Sequence, residues 1–139
     1  MSTNFSDFEK LTKLGKKSKP DKTLEVFPNH APGQTSVTIS CKEFTCLCPL
    51  TKQPDYANIE IIYTPNKYLV ESKSLKLYLE TYRNKGVFHE HLVVDIGKDF
   101  VKYIDPLSVE IIANFNVRGG IAISAKYNWE AKSGLLENK

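Results

Sequence analysis

Three cysteines, Cys41, Cys46 and Cys48, lie within eight positions of one another, so thiol chemistry is the first possibility the chain offers. An odd, clustered set makes a poor disulfide framework, and a reducing compartment keeps such thiols free. Cys48, in Phe44-Thr45-Cys46-Leu47-Cys48-Pro49, falls just past a strand end, in a loop, where functional side chains collect. Residue type alone leaves three readings of it open. A buried structural thiol stands slightly ahead, since cysteine is among the most buried residues. A nucleophile comes second. A metal ligand acting with Cys46, His89 and His91 is third, because structural zinc sites favour Cys-x-x-Cys over the Cys-x-Cys found here. Asp55 follows seven residues on. Beside Pro54 it reads as a turn residue, or as a general acid and base if the loop returns it to Cys48.

Charged groups gather in three further places. Glu71-Ser72-Lys73-Ser74-Leu75-Lys76-Leu77-Tyr78 opens a helix for which Ser72 or Ser74 is the expected N-cap. Free backbone N–H groups, the positive helix end, Lys73 and Lys76 together suit a phosphate, although a capped helix with solvated lysines is the commoner outcome of such a pattern. His89-Glu90-His91 begins a second helix. Glu90 is there either a dipole partner or a carboxylate able to accept the paired N–H donors of a guanine-like edge. Arg118, in Asn116-Val117-Arg118-Gly119-Gly120, is either a solvated hairpin residue or a phosphate clamp.

The elements that must position these groups follow from periodicity. Val37, Ile39 and Cys41 alternate with polar neighbours over Ser36 to Phe44, which predicts a half-buried strand, followed by a loop from Thr45 to Tyr56. A second strand is expected over Ala57 to Tyr63, with a short extended piece at Tyr68 to Val70. The period then changes: Leu75, Tyr78, Leu79 and Tyr82 mark a helix, with Gly86 as its C-cap. Leu92, Val93, Ile96, Phe100, Val101 and Ile104 mark a second one, which must stop before Pro106. Two strands, Ser108 to Val117 and Ile121 to Trp129, are joined by Arg118-Gly119-Gly120 as a tight hairpin. The order ββααββ predicts an α+β domain with two helices on one face of a four-stranded antiparallel sheet. Open sheet edges make pairing between subunits plausible.

With 139 residues the chain suits one domain, and 41% hydrophobic with 25% charged residues is ordinary for a soluble protein. Residues 1–23 carry six lysines without a sustained apolar period and read as a mobile or loosely docked basic arm before a domain over 24–139. A net charge of +3 suits an anionic small molecule and is too weak to argue for nucleic acid. No apolar run approaches the roughly 20 residues of a membrane span, and no signal core opens the chain, so a cytoplasmic protein is expected.

Taken singly, none of these signals is specific. Their ordered set is. Phe-Thr-x-Leu-Cys-Pro-x-Thr-x-Gln-Pro-Asp (Phe44 to Asp55), Glu-Ser-Lys-Ser-Leu-Lys-Leu-Tyr (Glu71 to Tyr78), Phe-His-Glu (Phe88 to Glu90) and Val-Arg-Gly-Gly (Val117 to Gly120) closely resemble the short-chain bacterial 7-cyano-7-deazaguanine reductases, over roughly residues 24 to 130. The Glu-Ser-Lys-Ser run is that family's signature and separates it from the zinc-dependent GTP cyclohydrolase I relatives of the same fold, whose ligand pattern does not appear here.

The resemblance implies the tunnelling fold, with sheets joined into a ring, two pentamers stacked as a decamer, and active sites at subunit interfaces. It implies NADPH-dependent, four-electron reduction of a nitrile to a primary amine in queuosine biosynthesis, with no direct nucleic acid partner and no metal. Cys48 matches the nucleophile, Asp55 the acid and base, and Glu90 the carboxylate that anchors the deazaguanine. Glu71, Ser72 and His89 match substrate-pocket positions, and Lys73, Ser74, Lys76 and Arg118 fall where the family places its NADPH-binding groups. A thioimide on Cys48 divides a hard hydride attack into easier steps. Thiolate formation needs a lowered pKa, for which the nearby lysines are candidates. No Gly-x-Gly-x-x-Gly is present, so a dinucleotide is not expected in the usual dinucleotide fold. Two other readings stand beside this one. One is a zinc-dependent GTP cyclohydrolase-like or pterin-binding protein of the same fold, and the other a non-catalytic nucleotide- or RNA-binding oligomer.

Overall fold

The structure is a computed structural model and describes residues 18–132 together with Phe5 and Glu9. Strands β1 (Val26–Pro28), β2 (Val37–Leu47), β3 (Pro54–Thr64) and β4 (Tyr68–Val70) precede helices α1 (Ser72–Glu80) and α2 (His89–Ile104). Strands β5 (Ser108–Phe115) and β6 (Ser124–Glu130) follow. The long strands form one antiparallel sheet in the order β2-β3-β5-β6, while β1 and β4 pair as a separate ribbon. Of that ribbon, β4 falls on the short extended piece expected at Tyr68 to Val70, while β1 is not expected from the sequence, because a three-residue strand is too short to show alternation.

Alternation in the two central strands places one face in the core. Ala57, Ile59, Ile61 and Tyr63 of β3 and Val109, Ile111, Ala113 and Phe115 of β5 are all buried. They sit opposite one another in register, Ile61 against Ile111 and Ile59 against Ala113. Helix α2 adds Leu92, Val93, Ile96, Phe100 and Ile104 to the same core, with the Phe100 ring edge-on to Tyr63 at 5.7 Å. Each fully buried side chain of this kind contributes roughly 1.5–3 kcal/mol. The layer is therefore a firm base for the strand ends and helix starts that carry the chemistry. Helix α1 is tied to α2 through Tyr78, whose hydroxyl donates to Asp99 Oδ2 at 2.6 Å and lies 3.2 Å from the Tyr82 hydroxyl. Burial pushes both phenols up, that of Tyr82 to about 12.

Four local expectations change. The loop expected over Thr45 to Tyr56 is shorter, because β2 and β3 keep pairing through Cys46 against Asp55 and Leu47 against Pro54. A β-bulge between Cys41 and Phe44 lets the strand bend and continue, and a period-two pattern does not register such a step. The N-cap of α1 is Glu71, not a serine: its carboxylate accepts from Lys73 N and Ser74 N at 2.9 and 2.7 Å. Helix α1 also ends at Glu80, well before Gly86. Gly86 instead bridges to Leu47, and a Cβ there would lie 2.9 Å from Pro49 Cα, so its missing side chain is what allows the contact. The last strands are shorter than expected, and the tight turn at Gly119-Gly120 is closed by paired hydrogen bonds between Arg118 and Ile121.

Of the basic arm, Asp21 and Thr23 already meet α1: Asp21 N donates to Leu77 O, and Ser74 Oγ donates to Thr23 O. The remainder of residues 1–17, apart from Phe5 and Glu9, lies outside the described residues. No helix among the described residues is long and apolar enough to cross a membrane.

Candidate active site

Cys48 begins the turn between β2 and β3. Its N–H donates to Gln53 O at 2.8 Å and its carbonyl accepts from Lys52 N at 3.1 Å, with Lys52 in the left-handed region at φ 60°. The base of the turn is pinned from outside: Leu47 N donates to Lys85 O, and Val87 N donates to Leu47 O. Inside this frame the Cys48 thiol is lowered from 9.0 to about 7. The Thr51 hydroxyl is the largest cause, followed by the backbone N–H groups of Thr51 and Leu50, with the Arg118 charge adding a little. Donors converging on one sulfur stabilise its thiolate. No lysine figures among the causes, contrary to the expectation from the sequence.

The other two thiols move the opposite way. Burial, with the nearby Asp55 charge, pushes Cys46 up to about 11, and burial raises Cys41 as well. Of the three thiols, Cys48 alone is lowered toward neutral pH, the direction that favours a thiolate. Among the described residues no group of three or more His, Cys, Asp or Glu side chains is placed to hold a metal ion.

Asp55 is the polar centre of the site. It is buried, standing opposite Cys46 in the sheet register two positions from Cys48. Arg118 Nη1 lies 3.0 Å from its Oδ1 and His89 Nε2 3.2 Å from its Oδ2. Arg118 Nη2 also donates to Pro54 O at 3.3 Å. The His89 ring stacks flat on Phe115, centroids 3.6 Å apart. Three elements thus converge: β3 supplies Asp55, the start of α2 supplies His89, and the β5–β6 turn supplies Arg118.

The remaining expected site residues do not join this cluster. Glu90 is exposed in the first turn of α2 and makes no ion pair among the described residues. Glu71 is engaged as the α1 cap, which closes the helix end that was to receive a phosphate. Ser74 is buried, its hydroxyl accepting from Glu25 N at 2.7 Å, and so is turned away from any cofactor. Ser72 and Lys76 line an apolar groove of about 590 Å³ with Phe44, Leu75 and Leu79, while Lys73 is exposed. Sequence reasoning missed Thr51 and Phe115. Thr51 stood inside the quoted Cys-Pro-x-Thr run, but a hydroxyl three residues away signals nothing until the turn is known. Phe115 looked like one more inward residue of an alternating strand.

Several known proteins are similar to this chain. The family described as QueF-like protein matches residues 54–133, more than half of the sequence. A protein of Syntrophus aciditrophicus named NADPH-dependent 7-cyano-7-deazaguanine reductase is 47% identical over 130 residues, covering 93% of each chain. One of the same name from Frankia casuarinae is 48% identical, over 88% of this chain and 98% of its own. Among solved structures, the apo form of an archaeosine synthase QueF-Like superposes with a TM-score of 0.66 at 19% identity, covering 73% of this chain and 98% of that one. The last likeness speaks for the fold, and the first three for kinship. This chain belongs to the QueF family of NADPH-dependent 7-cyano-7-deazaguanine reductases.

Proposed function

We propose that this chain reduces the nitrile of 7-cyano-7-deazaguanine to the aminomethyl group of 7-aminomethyl-7-deazaguanine with NADPH, a step of queuosine biosynthesis. The observation that supports the chemistry is a lowered Cys48 thiol in the turn between β2 and β3, with Asp55, at the start of β3, held by Arg118 and His89. The thiolate adds to the nitrile carbon, so an S–C bond forms and one C–N π bond breaks. The thiol proton passes to Asp55, and Asp55 delivers it to the nitrogen, giving a neutral thioimide with Asp55 as it began. A stabilised thiolate is also a good leaving group, which suits the later cleavage of the C–S bond. Two molecules of NADPH, bound in turn, would each supply one hydride of the four-electron reduction.

The residues fit such a cofactor by charge. Lys73 and Lys76 are exposed one helical turn apart on α1, and the Arg118 side chain is 43% exposed. These three would hold its phosphates. Ser74 is left out, because its hydroxyl is buried and engaged. Glu90, at the start of α2, would accept the amide and amino N–H groups of the base, beside His89. Ser72 would contribute from α1, with Glu71 holding that helix end.

No hydrogen bond or ion pair among the described residues joins α1 to the Cys48 cluster, so a pocket using both would be completed by another copy. Exposed apolar side chains surround the cluster in support: Leu50, Tyr56, Phe88, Val117 and Ile121. We read the assembly as a ring of five, stacked as a decamer, and the three free cysteines as suited to a reducing cytoplasm. Native mass spectrometry tests the assembly, and a monomer at micromolar concentration would sink it.

The central test is an intact mass after incubation with 7-cyano-7-deazaguanine and no NADPH. One adduct per chain is expected, absent in Cys48→Ala. Folded protein that forms no adduct would refute the mechanism.

A further inference from the structure

The geometry gives Arg118 work that a cofactor clamp would not need. Gly119 and Gly120 both have positive φ, 58° and 78°, the pair a primed two-residue hairpin turn requires. Arg118 sits at the foot of that turn, locked to Ile121 by hydrogen bonds of 2.9 and 3.0 Å. From there its guanidinium reaches across to β3 at two points. Nη2 holds the carbonyl of Pro54, and Nη1 holds Oδ1 of the next residue, Asp55. One planar group therefore fixes both the backbone entering Asp55 and the carboxylate itself. His89 takes the other oxygen.

The pair is a poor stabiliser of the fold. An ion pair with one partner this exposed adds little to stability, and the turn is already held by its glycines and by the Arg118–Ile121 hydrogen bonds. What the contact does deliver is orientation. Asp55 has both oxygens directed, Oδ1 by Arg118 and Oδ2 by His89.

We infer that Arg118 is a positioning residue for Asp55 in the covalent addition step, acting before NADPH binds and independently of any contact with a cofactor phosphate. This rests on the reading of Cys48 as nucleophile and Asp55 as proton carrier. The step it serves is the one balanced above: the thiol proton moves to Asp55 and on to nitrogen as the S–C bond forms, with no external reductant.

The experiment follows adduct formation with 7-cyano-7-deazaguanine by stopped flow, with NADPH left out. The proteins are wild type, Arg118→Ala, Arg118→Lys, Asp55→Asn and the Asp55→Asn/Arg118→Ala pair, each checked for native assembly and thermal unfolding. Arg118→Ala should add the nitrile about ten- to a hundredfold more slowly, the usual effect of a misplaced catalytic group. Added guanidinium should restore part of that rate. Arg118→Lys, which keeps the charge but loses the two-point hold, should remain slow. The double variant should be no slower than Asp55→Asn alone, since Arg118 acts through Asp55. A wild-type rate in Arg118→Ala, with only the KM for NADPH raised, would overturn the inference. So would losses that multiply in the double variant. An absent adduct in folded wild-type protein would instead remove the mechanism beneath it, and the inference with it.

Discussion

His89 Nε2 lies 3.2 Å from Asp55 Oδ2 although the two residues come from different kinds of element, a helix start and a strand. The imidazole plane is within 5° of the Phe115 ring, and its buried Nδ1 has no hydrogen-bond partner among the described residues. Packing against an aromatic face, not a second hydrogen bond, therefore sets the ring's orientation. Nε2 is the nitrogen that donates to the carboxylate. Asp55 is in consequence a buried side chain whose two oxygens have fixed directions.

Asp55→Asn keeps the size of the side chain and removes its ability to carry a proton. The variant should fold, with an unfolding temperature near wild type. Its kcat should fall by about 10²- to 10⁴-fold, the range for a lost general acid and base. Steady-state rates with thermal unfolding check this, and turnover within threefold of wild type would remove Asp55 from its role.

A thiol held near 7 gains its thiolate as the pH rises through that value, so the rate of Cys48 alkylation by iodoacetamide should climb through about 7 and then level. The ordinary thiol value, 9.0, would place the rise two pH units higher. Thr51→Val removes the largest cause and should move the midpoint up, slowing alkylation at neutral pH. An unchanged midpoint in Thr51→Val would leave the effect to the backbone N–H groups of Leu50 and Thr51.

How much of this was legible beforehand depends on the kind of signal. The central strands and α2 were readable because burial on one face forces a period that apolar residues must obey, as Ile59, Ile61 and Tyr63 do. The composition of the cluster came from the ordered motifs. Its wiring did not. Cys48 was expected to borrow charge from lysines, but a turn can aim a hydroxyl and two N–H groups at one sulfur, and no pattern of residue types encodes that aim. Glu71 acting as the cap of α1 was hidden for a related reason, since Ser72 and Ser74 are better capping types and only the backbone geometry decides which residue stands at the boundary. Arg118 was readable as a cation, but its partner lies across the sheet.

Glu90 is exposed at the start of α2, free to meet a base, and Gln there keeps the shape while losing the charge. A lost charged hydrogen bond costs roughly 1.5–3 kcal/mol. The KM for the nitrile should therefore rise about ten- to a hundredfold in Glu90→Gln, with the adduct rate at saturating nitrile changing less. An unchanged KM would place the base elsewhere.

Gly97 couples the core to the site, because it lies in the same helix as His89 and Glu90. Any Cβ at this position would overlap the Tyr127 ring of β6, which packs directly on the helix backbone. Alanine improves helix propensity by up to about 1 kcal/mol, yet forcing extra volume into a packed contact costs typically 1–3 kcal/mol. The second effect should win. Gly97→Ala is expected to lower the unfolding temperature by several degrees and, by pushing α2 off the sheet, to slow turnover as well. Tyr127→Ala opens the same space, so Gly97→Ala made in that background should be neutral or stabilising. A double-mutant cycle of the four proteins by thermal and urea unfolding measures the coupling. Additive losses would mean that α2 accommodates the methyl without help from Tyr127, and the close approach would then not be what requires glycine at this position.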